Sequence, residues 1–134
     1  MKPALIDTHC HLDDPRYDGA VEAVLARARN AGVQRMVSIG IDLATSRQAV
    51  ALAEEHPRLV SAAVGLMPHG AQDYDVDYGD ALEDLAGRPG VVAWGEIGLD
   101  YHHERSPRDV QRRVFLDQLR RARRLGLPVV VHSR

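Results

Sequence analysis

One cysteine, one lysine and six aromatic residues are what this chain of 134 residues has little of. The lone Cys10 excludes an internal disulfide and fits the reducing cytoplasm. The single lysine stands against 16 arginines, a bias that reads as GC-rich codon usage rather than chemistry. No apolar run approaches the roughly 20 residues of a membrane span, so no membrane partner is expected. The opening segment, Met1-Lys2-Pro3-Ala4-Leu5-Ile6-Asp7, meets an acid after three apolar residues, so no signal peptide is expected either. Internal repeats and low-complexity linkers are also missing, which leaves one domain over residues 1–134.

What is present is a globular composition, 45% hydrophobic and 27% charged. The net charge of −2 hides an asymmetry. Residues 1–104 carry 8 Lys/Arg against 17 Asp/Glu, whereas residues 105–134 carry 9 against 2. A basic block of this kind is either a nucleic-acid footprint or the solvated face of a helix, and the second reading is preferred.

Short β-like runs alternate with helical patterns. Strands are predicted at Ala4–His9, Arg35–Gly40, Leu59–Gly65, Val91–Glu96 and Leu127–His132. Asp18 is read as the cap of a first helix that stops at Gly32. Thr45 with Gln48 has capping-box spacing for a second helix ending near His56-Pro57. A third, weaker helix carries Ala81, Leu82 and Leu85 and stops at Gly87. Ser106-Pro107 reads as a cap followed by proline at the first helical position. The helix it opens sets Val110, Val114, Phe115, Leu119, Ala122 and Leu125 on one side. Arg112, Arg113, Arg120, Arg123 and Arg124 lie on the other. Alternating β and α units with apolar, β-branched strands require a parallel sheet covered by helices. An open doubly wound sheet and part of a closed barrel both satisfy that pattern.

Polar residues collect at the predicted strand ends, where parallel α/β folds build their sites: His9 with His11, Glu96, and His132. His69 follows the third strand closely. Alternation along a strand turns Asp7, His9 and His11 to one face and Thr8 and Cys10 to the other. Two imidazoles two residues apart can therefore converge on one divalent ion such as Zn²⁺, Mn²⁺ or Mg²⁺. A glutamate can offer one oxygen to each of two ions about 3.5–4 Å apart. Cys10, by its parity, is read as a small buried residue. His56 is read as a surface residue, and His102 and His103 as exposed loop histidines.

Three stretches resemble one family. Ile6-Asp7-Thr8-His9-Cys10-His11-Leu12-Asp13 resembles the N-terminal signature of the TatD-type metal-dependent deoxyribonucleases. Gly95-Glu96-Ile97-Gly98-Leu99-Asp100-Tyr101 resembles their central motif. Leu127-Pro128-Val129-Val130-Val131-His132-Ser133-Arg134 resembles the next one, in family order. The resemblance implies an α/β fold of the (β/α)₈ TIM-barrel kind, of which this chain supplies the first four and a half β/α units with parallel strands. It implies hydrolysis of phosphodiester bonds in DNA by a water that two metal ions activate, with Mg²⁺ ahead of Mn²⁺ and Zn²⁺. The metal ligands it implies are His9, His11, Glu96 and His132. Glu96, shared between the ions, is also the catalytic residue. His69 and Arg134 are implied to bind substrate.

Two departures accompany the match. Methionine stands at Met67, where the family usually has the first histidine of Gly-x-His-Pro-His, and a thioether gives phosphate no strong hydrogen bond. The family also has three further strands, bearing another histidine ligand and a late aspartate. An amidohydrolase or lactonase with the same His-x-His, or a half-barrel that needs a second chain, are the rival readings. The first often uses a modified lysine near the position of Glu96, and the only lysine here is Lys2. A sheet ending at the fifth strand is expected to leave apolar edges open, and so to self-associate or to need a complementary half.

Overall fold

The computed structural model describes residues 4–134. Strands β1 (Leu5–Cys10), β2 (Val33–Ile39), β3 (Val60–Val64), β4 (Val91–Leu99) and β5 (Val129–Ser133) form one parallel sheet in the order β1-β2-β3-β4-β5. Helices α1 (Val21–Asn30), α2 (Leu43–Glu55), α3 (Val76–Ala86) and α4 (Arg108–Leu125) connect them. This order decides between the two architectures. A doubly wound sheet reverses direction at a switch point. Here every strand lies beside its successor, so right-handed crossovers place all helices on one face. The sheet curls about its other face as a half-barrel.

The core follows from strand alternation. Met36, Val60, Ala62, Val64, Trp94 and Ile97 face the helices and meet Leu25, Val50, Ala53, Leu82 and Val114. Ile39, Ala63 and Ala93 form a smaller cluster with Val37 and Val130. Trp94, fully buried, removes about 150–250 Å² from water, a gross gain of roughly 4–6 kcal/mol. Apolar residues on the flanking strands stay open to solvent, among them Leu5, Ile6, Val129 and Val131. No helix among the described residues is long and apolar enough to cross a membrane.

Local boundaries depart from the sequence reading in four places. Asp18 ends a short 3-10 turn, its N–H donating to the Pro15 carbonyl, and α1 starts after Ala20 with no side-chain cap. Asp42, not Thr45, caps α2: its carboxylate accepts from the Thr45 N–H, and the Thr45 hydroxyl accepts from the Asp42 N–H. Ser106 does not cap α4, where Pro107 takes that position; its buried hydroxyl instead donates to the His69 carbonyl. β4 runs to Leu99, because Ile97, Gly98 and Leu99 pair with Val131, His132 and Ser133 beyond a register shift.

The inward stripe of α4 is also rotated from the expected one. Gln111, Val114, Gln118, Arg121 and Ala122 are buried, while Leu125 is exposed. Arg121 lies in a cage of Asp80, Glu83 and Asp117 between α3 and α4. Arg112, Arg113, Arg120, Arg123 and Arg124 are largely solvated, as expected, with Arg124 reaching Glu83.

Candidate metal centre

His9, near the end of β1, and His11, just past it, come to one side, as strand parity predicts. The rings of His9 and His11 meet edge to face with centroids 5.2 Å apart. His11 Nδ1 lies 3.1 Å from the Ile39 carbonyl. A carbonyl only accepts, so Nδ1 carries the proton and Nε2 keeps its lone pair for a metal. Cys10 turns the other way, its thiol donating to the Val37 carbonyl at 3.3 Å and packing against the helix-facing core. Burial first, then the carboxylates of Asp7 and Asp13, push that thiol up to about 12.

Glu96 projects from β4 and is largely buried. Its Oε2 lies 3.4 Å from His9 Nε2, and its Oε1 lies 2.8 Å from His132 Nδ1 on β5. One carboxylate thus spans imidazoles from β1 and β5. One ligand atom each from His9, His11 and Glu96 falls within 4.8 Å of the others. Two atoms bound to one ion at about 2.1 Å sit about 3.0–3.4 Å apart, a spacing that His9 and Glu96 have at 3.4 Å, and two imidazoles with a carboxylate suit a divalent ion in their chemistry. A cavity of about 450 Å³, lined by His9, His11, Asp13, Met67, Glu96 and His132 among others, opens in front of them.

A second carboxylate, missed in the sequence reading, organises the other side of His132. Asp100 is only 1% exposed. Its Oδ1 accepts from the backbone N–H groups of His102 (3.1 Å) and His103 (2.8 Å). Its Oδ2 faces His103 Nδ1 at 3.0 Å and His132 Nε2 at 3.0 Å. His69 Nε2 is 3.1 Å from the same oxygen but out of line, so this buried nitrogen has no hydrogen bond among the described residues. The His103 N–H, reinforced by the imidazoles against the opposing effect of burial, holds Asp100 well below the usual carboxylate range. Burial lowers His69, with Asp100 opposing. His69 Nδ1 rests 3.3 Å from the Met67 sulfur.

Three buried polar residues from α4 and its approach hold these loops. Gln118 donates to the Leu66 carbonyl and accepts from the Leu66 and Trp94 N–H groups. Gln111 accepts from the Asp100 N–H and donates to the Asp100 and Ser106 carbonyls. Ser106 ties down His69. A signal was available: two glutamines seven residues apart, at helical spacing with Val114 and Ala122.

The structure thus brings His9, His11, Glu96, His69 and His132 together. It does not bring in the Arg134 side chain, which is exposed; only its backbone is engaged, with Leu99 and Tyr101. His103, read as an exposed loop histidine, is 38% exposed along its side chain and has Nδ1 3.0 Å from Asp100. His56, read as a surface residue, is 21% exposed and sits 2.8 Å from Glu22.

Residues 6–134 match the family described as TatD related DNase. YabD of Bacillus subtilis (strain 168), described as an uncharacterized metal-dependent hydrolase, is 38% identical over 130 residues, 97% of this chain and 51% of its own length. The 3'-5' ssDNA/RNA exonuclease TatD of Edwardsiella piscicida is 37% identical, over 97% of this chain and 50% of its own. The crystal structure of the TatD homolog YjjV from Escherichia coli K12 superposes with a TM-score of 0.90 at 37% identity, covering all of this chain and 52% of that one. The chain spans about half the length of the curated relatives it matches. By family model, sequence and architecture alike, it belongs to the TatD related DNase family.

Proposed function

We propose that this protein is a metal-dependent phosphodiesterase acting on DNA, and that residues 1–134 are the N-terminal part of its barrel. The observation that carries the reading is the Glu96 carboxylate, with one oxygen toward His9 and the other toward His132. Bound divalent ions would lower the pKa of water and neutralise charge developing on the phosphate. His9 and His11 would hold one ion together with Glu96, and Glu96 with His132 would contribute to a second. His69, partly buried behind Met67, would contribute to the substrate side of the site. Met67, soft and uncharged, would line the same wall without a charged contact to phosphate. Relatives of twice the length, together with open apolar residues on β1 and β5, support the partition into an N-terminal part and further strands.

The test is degradation of 3'-labelled single-stranded DNA by the protein with Mg²⁺ or Mn²⁺, before and after EDTA. Metal-dependent release of nucleotides is expected. Hydrolysis of a simple lactone, with DNA left intact under the same ions, overturns the reading.

A further inference from the structure

His132 stands between two carboxylates, with Glu96 Oε1 on its Nδ1 and Asp100 Oδ2 on its Nε2. A neutral imidazole has one N–H and one lone pair, so it satisfies only one of the two. Which nitrogen keeps the proton determines whether a metal can be bound at all. We propose that Asp100 is the positioning residue that keeps His132 as its Nε2–H tautomer, leaving the Nδ1 lone pair turned toward Glu96 and the ion. This inference rests on the reading of His132 as a metal ligand.

The two carboxylates differ in how firmly they are held. Asp100 Oδ1 already accepts two backbone N–H groups, so only Oδ2 faces the imidazoles. Gln111 grips the Asp100 backbone on both its N–H and its carbonyl, so the residue does not swing away. His103 and His69 also face Oδ2, and the His69 nitrogen is out of line. The Glu96 carboxylate, by contrast, has only imidazoles as polar partners among the described residues and borders the open cavity. An anchored acceptor on Nε2 keeps the proton there, whereas Glu96, held by no fixed donor on its carboxylate, leaves the Nδ1 lone pair to a cation. A carboxylate behind a metal-bound imidazole fixes its tautomer in this way.

Asp100→Asn and Asp100→Ala separate positioning from structure. The asparagine oxygen stays with the two backbone N–H groups, so its NH₂ faces His132 Nε2 and drives the proton onto Nδ1. Nitrogen-15 NMR of the metal-free protein, at a pH where the imidazole is neutral, reads this directly. The wild type is expected as Nε2–H, the asparagine variant as Nδ1–H and the alanine variant as a mixture. Mn²⁺ affinity, followed by EPR with the metal alone, is expected to fall about 10–100-fold in the asparagine variant and less in the alanine variant. A purely structural role predicts the reverse order, because asparagine is the closer isostere. A wild type in the Nδ1–H form, an asparagine variant that stays Nε2–H, or a larger affinity loss in alanine each overturns the proposal. If asparagine prevents folding, the wild-type spectrum and the alanine variant still decide. His132→Ala with unchanged Mn²⁺ affinity would instead defeat the metal-ligand reading, and the metal-free spectrum would remain a test of Asp100.

Discussion

Glu96 and Asp100 lie four residues apart, and each sets one oxygen against the same imidazole of His132. Their surroundings differ. Glu96 has histidines on both oxygens, His9 and His132, and the His9 side chain is 44% exposed. Asp100 is sealed in, with backbone donors on one oxygen and a glutamine clamp on its own peptide groups. The contrast teaches that the number of fixed donors sets what a carboxylate beside a histidine can do. On the proposed reading, the one without them trades an imidazole for a metal and the one with them orients the imidazole.

The largest expected effect comes from removing the first of the pair. Glu96→Ala should lower nucleotide release from single-stranded DNA by at least about 10³-fold, roughly 4 kcal/mol of barrier. A loss under tenfold would remove Glu96 from the centre and dissolve the distinction between the carboxylates.

Between the two on β4 lies Gly98, with φ +151 and its Cα against β5. A Cβ there would overlap the His132 carbonyl. Gly98→Ala should therefore force the strands apart where both carboxylates meet His132, costing about 2–4 kcal/mol. Urea unfolding measures this, and wild-type stability in the variant would contradict the close β4–β5 approach.

Acid sharpens the contrast from the other side. The folded-state value of Asp100 lies below its unfolded value of about 3.9. Its stabilisation is therefore complete above about pH 4 and is lost as pH falls through the folded value. In Asp100→Asn the decline of stability between about pH 4 and pH 2 should be shallower, by up to one proton. Chemical unfolding across that range tests it, and parallel curves would count against a charged, anchored Asp100.

Cys10 sits between His9 and His11 but belongs to neither carboxylate. With its thiol raised to about 12, alkylation at pH 8 should run at least about 100-fold slower than for a model thiol. Cys10→Ala should leave nuclease activity within about twofold. Fast labelling would mean that β1 does not turn its alternate side chains as described.

A small effect is also expected on the outer side of α4, whose inner side clamps Asp100. Reversing the charges of Arg120 and Arg124 should change DNA affinity by no more than about threefold, roughly 0.7 kcal/mol. A tenfold loss recovered at low salt would show phosphate contacts on that helix instead.

Much of the fold was legible because its signals are local. Apolar β-branched runs separated by helical periods gave five strands and four helices at nearly the right places, and parity alone separated Cys10 from His9 and His11. The caps were less legible. Asp42 and Thr45 compete for one role within three residues, and Ser106 looks like a cap until its hydroxyl is claimed by the His69 carbonyl. Asp100 escaped notice because a carboxylate is an ordinary surface residue until burial and backbone donors single it out.

The sequence by itself determined the alternation of strands and helices, the side of β1 on which the histidines lie, and the motifs that mark the family. These depend on spacing along the chain and on residue chemistry, which sequence contains directly. Only the tertiary structure decided that successive strands pair in order, that β4 continues past Glu96, and that His132 is held between two carboxylates 36 and 32 residues away. Those outcomes depend on which groups lose water together and on which donors remain to satisfy them, and both are set by contacts between distant segments.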